Sequence, residues 1–142
     1  MWKLNYQTTF QGSPVSMGRP RKGRFGMYTA PKSAKYMKDK VVSLKTELDD
    51  KEPMEGPLKV CVTFVHKRPQ RLLKKTSPEG RIRKVTKPDI DNLVKMVLDI
   101  LTHSRIWKDD NQVVKLVCED WYCSKDEEPH TQIAIYTEGG EV

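Results

Sequence analysis

The sequence has no long hydrophobic run, few cysteines and no internal repeat, and each absence excludes a class of protein. Apolar residues occur in runs of about three or four, which is too short for a membrane-spanning helix. The residues before Gly12 lack the apolar core of a secretory signal peptide, so we expect no such signal. The three cysteines form no C-x-x-C pair, which indicates reduced thiols rather than a disulfide framework or a cysteine-based zinc site.

Positive charge is what the sequence has in excess. The 142 residues include 26 Lys+Arg and 19 Asp+Glu, which gives a formal net charge of +7. Hydrophobic residues make up 37% of the chain, which is too many for a disordered protein and enough for one core. The length fits a single domain, and the sign of the charge favours a polyanionic partner.

The hydrophobic pattern predicts four strands and two main helices. Alternation with a period of two indicates strands, and apolar residues three and four apart indicate helices. With only two helices for about four strands, we expect an α+β fold, a mixed sheet in one domain over residues 1–142. The predicted strands are Trp2–Phe10, Leu58–His66, Gln112–Cys123 and Gln132–Thr137, and the predicted helices are Ser33–Leu48 and Asp89–His103.

Two segments between these elements hold most of the positive charge. Gln11–Pro31 is rich in glycine and proline and is expected to be a loop or loose hairpin. Lys67–Lys87 carries nine basic residues against Glu79 alone, and we expect a mobile basic loop there. Such segments are either solvated loops or arms that bind a phosphate backbone. The residues we expect to contact DNA are Arg19, Arg21, Lys22, Arg24, Lys74, Lys75, Arg81, Arg83, Lys84 and Lys87.

Acidic residues recur along one stripe of the second predicted helix. Asp89 follows a proline and suits the start of that helix, where a carboxylate can cap backbone N–H groups. Asp91, Lys95 and Asp99 fall on one side of the helix at a spacing of four residues. Taken alone, this pattern also fits helix capping and a ladder of ion pairs.

A second acidic pair, Asp109 and Asp110, precedes the next predicted strand. The sequence does not show whether Asp110 lies close to Asp91. If the two groups converge, their like charges are costly without a cation. Carboxylate oxygens suit Mg²⁺, with Mn²⁺ as a possible substitute, better than zinc.

The stretches KPDIDNLVKMVLDIL and IWKDDNQVV together resemble the RusA-type Holliday-junction resolvases, a family of crossover-junction endodeoxyribonucleases. The opening strand and the GRPRKGRFGMYT region also look similar, whereas Lys67–Lys87 is longer and more basic than the family's compact basic run. The resemblance implies catalytic, metal-binding carboxylates at Asp89, Asp91 and Asp110, with Asp109 as an adjacent metal ligand. It also implies a functional lysine at Lys95 and a supporting role for Asp99.

The resemblance further implies a Mg²⁺-dependent homodimer that resolves branched DNA by symmetric phosphodiester hydrolysis in recombination and repair. It implies a protein of the bacterial cytoplasm, from a family common in phages and prophages, with no membrane partner and no organic cofactor. Two alternatives stay open. One is a non-catalytic DNA-binding module whose carboxylates serve as caps and ion pairs, and the other is a Mg²⁺-dependent hydrolase of small phosphate esters.

Overall fold

Five strands form one mixed sheet in the computed structural model, which describes residues 1–18, 21–24, 26–28 and 31–139. Two further short strands form a separate antiparallel hairpin. The strands are β1 (Trp2–Gln11), β2 (Arg21–Gly23), β3 (Gly26–Tyr28), β4 (Leu58–His66), β5 (Ile82–Arg83), β6 (Val113–Tyr122) and β7 (His130–Glu138). The helices are α1 (Pro31–Leu48) and α2 (Ile90–His103), with 3₁₀ turns at Gln70–Leu72 and Asp110–Gln112.

The order of the strands in the main sheet is β1-β7-β4-β6-β5. The β4–β6 pair is parallel and the other pairs are antiparallel, so the sheet is mixed. The predicted α+β class with two main helices is therefore confirmed. The expected count of about four strands is wrong, because β5 adds a fifth. Its two residues lie within the basic segment, where no alternation of apolar side chains reveals a strand.

One face of the sheet is apolar and buried. Val60, Val62 and Phe64 of β4 are each about 1% exposed or less. Across the antiparallel β4–β7 pair, Val60 is opposite Ile135 and Val62 is opposite Ile133, both of which are also buried. Branched side chains pack well on a pleated surface of this kind. The alternation in this strand predicts that Leu58, Val60, Val62 and Phe64 face inward, and their burial confirms it.

A register shift in β1 changes which of its side chains face inward. The alternation predicts Leu4 and Tyr6 on the same face. The pairing with β7 shifts between these two residues, so that Leu4 is opposite Tyr136 and Tyr6 is opposite Ile135. Leu4 is accordingly 47% exposed, and the prediction for its face is wrong. An extra residue in one strand produces this change of face, and the hydrophobic pattern gives no sign of it.

Contacts group the chain into two compact units, and the predicted single domain stays a prediction. The first unit comprises Met1–Pro14, Pro57–Ile90 and the residues from Val113 onward, and it contains the main sheet. The second unit comprises Val15–Gly56 and Asp91–Gln112, and it contains the β2–β3 hairpin, α1 and nearly all of α2. No helix in the described part of the chain combines the length and apolarity needed to cross a membrane.

Helix α2 follows the predicted apolar spacing and ends in a defined cap. The helix begins at Ile90, one residue after Asp89, as the sequence predicts. At its end Arg105 adopts a φ of 66°, the left-handed conformation that terminates many helices. The N–H of Ile106 then reaches the carbonyl of Leu101 at 3.4 Å. This cap turns the chain into the segment that carries Asp109 and Asp110.

Candidate active site

Trp107 anchors the segment that leads to the second acidic pair. The side chain is fully buried, and its indole N–H donates a hydrogen bond of 2.8 Å to Oγ1 of Thr102 in α2. A parallel bridge also pairs Trp107 with Met54. A buried tryptophan with a satisfied N–H fixes its surroundings strongly. The two residues that follow Lys108 are therefore held at a defined distance from the end of α2.

Gln112 closes the turn around the acidic pair. Its Oε1 accepts hydrogen bonds from the backbone N–H groups of Lys108, at 2.9 Å, and Asp109, at 3.0 Å. Its Nε2 donates to the carbonyl oxygens of Met54 and Gly56, at 3.0 and 3.1 Å. One side chain thus makes four hydrogen bonds to the backbone, two within the turn and two to the segment that precedes β4. Sequence reasoning missed this role, although the Trp-x-Asp-Asp-x-Gln spacing marks both anchors.

Asp110 lies in an acidic environment. Partial desolvation of its carboxylate raises the pKa of Asp110 above the usual range, and the neighbouring carboxylates of Asp109 and Asp99 raise it further. The α2 carboxylate whose charge raises the pKa of Asp110 is thus that of Asp99. The family resemblance implies only a supporting role for Asp99. Negative charges held together in this way favour a proton or a cation.

The remaining α2 residues of the predicted stripe are open to solvent. Asp91 and Lys95 are exposed, and Asp99 is half-buried. In the described ranges Lys95 makes no ion pair with Asp91 or Asp99, so the ladder of ion pairs does not form. Asp99 lies eight positions after Asp91 in the helix, which places it about 12 Å farther along the helix axis. The exposed charged groups of Asp91 and Lys95 can therefore interact with a cation or a phosphate.

Asp89 is one of the residues that line a groove on the first unit. The groove has a volume of about 590 Å³, and its lining includes Arg83, Val85, Thr86 and Asp120. Asp89 itself is exposed. Its carboxylate is thus accessible from a concave surface that also presents a guanidinium group.

The predicted metal ligands are carboxylates, whose oxygen atoms suit a hard cation. Oxygen donors from Asp89, Asp91, Asp109 and Asp110 are those that Mg²⁺ and Mn²⁺ prefer. Counted over residues 1–18, 21–24, 26–28 and 31–139, however, no three His, Cys, Asp or Glu side chains are grouped so that they could hold a metal ion. The metal set stays a prediction, supported by the acidic environment of Asp110.

The basic residues predicted to bind DNA differ in how freely they can reach a phosphate. Arg19 lies outside the described residues, as do the side chains of Arg21 and Lys22. Arg24, Lys74, Lys75 and Lys87 are exposed. Arg83 is 62% exposed, stacks 3.7 Å from the Trp121 ring centroid and pairs with Glu119 at 3.3 Å.

Two more of the predicted DNA-binding residues are engaged within the protein, and both are less exposed than Arg83. Arg81 forms a bidentate ion pair with the carboxylate of Glu127, with the shortest contact at 2.6 Å. The side chain of Lys84 is only 3% exposed, and its ammonium group lies 3.8 Å from a carboxylate oxygen of Asp120. A buried and paired ammonium group has no free face for phosphate, so we leave Lys84 out of the DNA surface proposed below.

Arg68 organises the basic segment from within. This residue is 5% exposed, and its guanidinium group donates to the carbonyl oxygens of Leu72, Pro78 and Gly80 at 2.9, 2.8 and 2.7 Å. It also donates to the carbonyl of Cys123 at 2.7 Å. The segment thus has internal hydrogen bonds that its composition does not suggest, while its predicted mobility stays a prediction.

Comparison with known proteins decides the family. The family model of the endodeoxyribonuclease RusA matches residues 11–136. The chain belongs to the RusA family. The matched range includes both acidic groups and the whole basic segment. RusA-family proteins are endodeoxyribonucleases that act on branched DNA junctions. The chain is also similar to the uncharacterized protein YqaN of Bacillus subtilis (strain 168), with 35% identity over 136 residues, which cover 89% of this chain and 92% of the relative.

Proposed function

We propose that this RusA-family chain is a Mg²⁺-dependent, homodimeric endonuclease that resolves Holliday junctions by cutting two strands symmetrically. The observation that carries the proposal is the acidic environment of Asp110 in a protein of net charge +7. A carboxylate whose pKa is raised by burial and by neighbouring carboxylates is suited to a divalent cation, and a basic surface is suited to the DNA backbone.

Asp89, Asp91 and Asp110 are the proposed metal ligands, and Asp109 is the proposed adjacent ligand. A bound divalent ion would lower the pKa of a water molecule and stabilise the leaving oxygen of the phosphodiester. The hydrogen bonds of Gln112 hold the turn that carries two of these carboxylates, which reduces the cost of ordering them on binding.

Lys95 is the proposed electrostatic partner of the reacting phosphate. It lies one helical turn after Asp91 and is exposed, without an ion pair in the part of the chain that the structure describes. An ammonium group in this position can offset the negative charge that develops on phosphorus in the transition state.

The exposed basic residues form the proposed DNA surface. Lys74, Lys75 and Lys87 are exposed on the basic segment, and Arg83 lines the same groove as Asp89. Contacts with phosphate dominate affinity for nucleic acid and make it dependent on salt. Arg81 could join this surface only if its pair with Glu127 opened.

The outer edge of β6 is the surface we propose for the homodimer. Among described residues, only Trp121 and Tyr122 of this edge pair with another strand, β5. Val114, Leu116 and Val117 are 62%, 43% and 43% exposed. An unpaired strand edge with exposed apolar residues can pair with a second copy across a two-fold axis. Two related active sites would also suit two equivalent phosphodiesters.

A labelled four-way junction incubated with and without Mg²⁺ tests the proposal. We expect cleavage by the wild type only with Mg²⁺, and none by Asp91→Asn, whose binding to the junction is retained or tighter because a negative charge is removed. Asp126→Asn is the matched control, since Asp126 is exposed and lies outside the proposed site. Tight binding without cleavage would favour the DNA-binding module, and turnover of a mononucleotide would favour the small-ester hydrolase.

A further inference from the structure

A buried lysine holds the backbone that leads into Asp89. The side chain of Lys84 is 3% exposed. Its Nζ donates a hydrogen bond of 2.6 Å to the carbonyl of Thr86 and one of 3.3 Å to the carbonyl of Pro88. Pro88 directly precedes Asp89, so the ammonium group fixes the peptide unit to which Asp89 is attached.

The charge of this ammonium group is balanced from the sheet. Asp120 of β6 has one carboxylate oxygen 3.8 Å from Lys84 Nζ and the other 2.7 Å from Nε2 of His66 on β4. The side chains of Asp120 and His66 are 10% and 9% exposed. The backbone N–H of Lys84 also donates to the carbonyl of Asp120 at 3.3 Å. Charges buried to this extent need such partners, and their geometry is correspondingly well defined.

Hydrogen bonds hold the segment between Lys84 and Asp89, although most of its residues are exposed. Thr86 is exposed, yet it is tied to the sheet through a hydrogen bond of 2.6 Å between its hydroxyl and that of Tyr122. Val85 is 91% exposed, and Lys87 is exposed as well. The segment is thus held by hydrogen bonds at Lys84, Thr86 and Pro88.

We infer that Lys84 is a positioning residue for Asp89, acting through the Pro88 carbonyl, with Asp120 and His66 as its support. This inference rests on the proposed function, in which Asp89 is a metal ligand. Groups that orient a metal ligand without contacting the metal typically contribute about 10–100-fold to metal affinity. Lys84 therefore serves the reaction from inside the protein, rather than by contact with DNA.

Lys84→Met tests the inference, because methionine keeps much of the volume but donates no hydrogen bond. We expect Mn²⁺ affinity of the DNA-free protein, measured by the EPR signal of unbound Mn²⁺, to fall about 10–100-fold. The Mg²⁺ concentration for half-maximal cleavage should rise in parallel. Lys125→Met is the matched control, since Lys125 pairs with Glu79 at 3.0 Å and reaches the Lys75 carbonyl, away from Asp89. Its Mn²⁺ affinity should match that of the wild type.

The double variant Lys84→Met/Asp120→Asn separates positioning from stability. It removes both buried charges, so the melting temperature lost in Lys84→Met should largely return. The hydrogen bond to the Pro88 carbonyl is still missing, so we expect Mn²⁺ affinity to stay low. Recovery of affinity together with stability would show that Lys84 serves the fold alone, and would overturn the inference.

Asp89→Asn distinguishes failure of this inference from failure of the proposed function. If Asp89→Asn loses Mn²⁺ binding and cleavage while Lys84→Met retains both, the role of Lys84 is refuted and the proposed function stands. If the wild type itself neither binds Mn²⁺ nor cuts a junction, both are refuted.

Discussion

The ion pair between Arg81 and Glu127 makes a prediction about stability that can be worked from the structure. Arg81 Nε and Nη2 contact the Glu127 carboxylate at 3.0 and 2.6 Å, and Glu127 also accepts the backbone N–H of Ser124 at 3.0 Å. The Glu127 side chain is 20% exposed. Hydrogen bonding by Arg81 lowers the pKa of Glu127 to about 2, against the effect of burial. Glu127→Gln removes the charge that this arrangement stabilises.

The depressed pKa sets both the size and the pH range of the effect. A carboxyl group whose pKa falls from about 4.3 when unfolded to about 2 when folded contributes about 3 kcal/mol at neutral pH. Solvent screening of the partly exposed pair reduces this to about 2 kcal/mol. Because the folded pKa is the lower one, the contribution is complete above about pH 5 and is lost as the pH falls toward 2.

Urea unfolding from pH 7 to pH 2 measures this contribution. We expect Glu127→Gln to lower the free energy of unfolding by about 2 kcal/mol at pH 7, and the difference from the wild type to vanish near pH 2. Glu128→Gln, an exposed neighbour, is the control and should change little at any pH. A constant difference between Glu127→Gln and the wild type across the whole pH range would refute the assignment, because it would show that the carboxylate charge is not involved.

Four further predictions follow from other parts of the molecule. Replacing Lys74 and Lys75 with alanine should reduce the salt dependence of junction binding, by about one unit of log–log slope per lost phosphate contact. Leu116→Lys should convert the proposed β6-edge dimer to a monomer in sedimentation and abolish paired cuts. Burial, aided by a nearby thiol, raises the pKa of Cys118 to about 11, so iodoacetamide should modify it far more slowly at pH 8 than a free thiol. Gln112→Ala removes four hydrogen bonds and should lower cleavage more than junction binding, as measured by single-turnover rates and by binding in Ca²⁺.

Local patterns predicted much of the fold. The periodicity of α2 and the alternation of β4 are strong because each element buries one continuous face, so burial selects the pattern directly. The shift in β1 and the two-residue strand β5 depend instead on pairing with distant strands. Such long-range pairing leaves little trace in the local sequence.

The candidate site was predictable in its residue types but less so in its arrangement. The sequence predicts Asp109 and Asp110 as an acidic pair before a strand, yet the approach of Asp99 depends on how that turn folds back toward α2. The roles of Arg68 and Lys84 could not be predicted from the sequence. Both lie in a run of basic residues and are indistinguishable by composition from their exposed neighbours, because only the tertiary structure supplies the carbonyl and carboxylate partners that bury them.

The most direct test of the proposed junction resolvase is to map the cuts on a four-way junction labelled in turn on each of its strands. We expect the wild-type protein in Mg²⁺ to cut one pair of opposing strands at symmetry-related positions. We expect Asp110→Asn to bind the same junction without cutting it. Cuts in one strand only, or equal cleavage of a linear duplex, would contradict the proposal of a dimeric junction resolvase, and normal cleavage by Asp110→Asn would contradict the proposed active site.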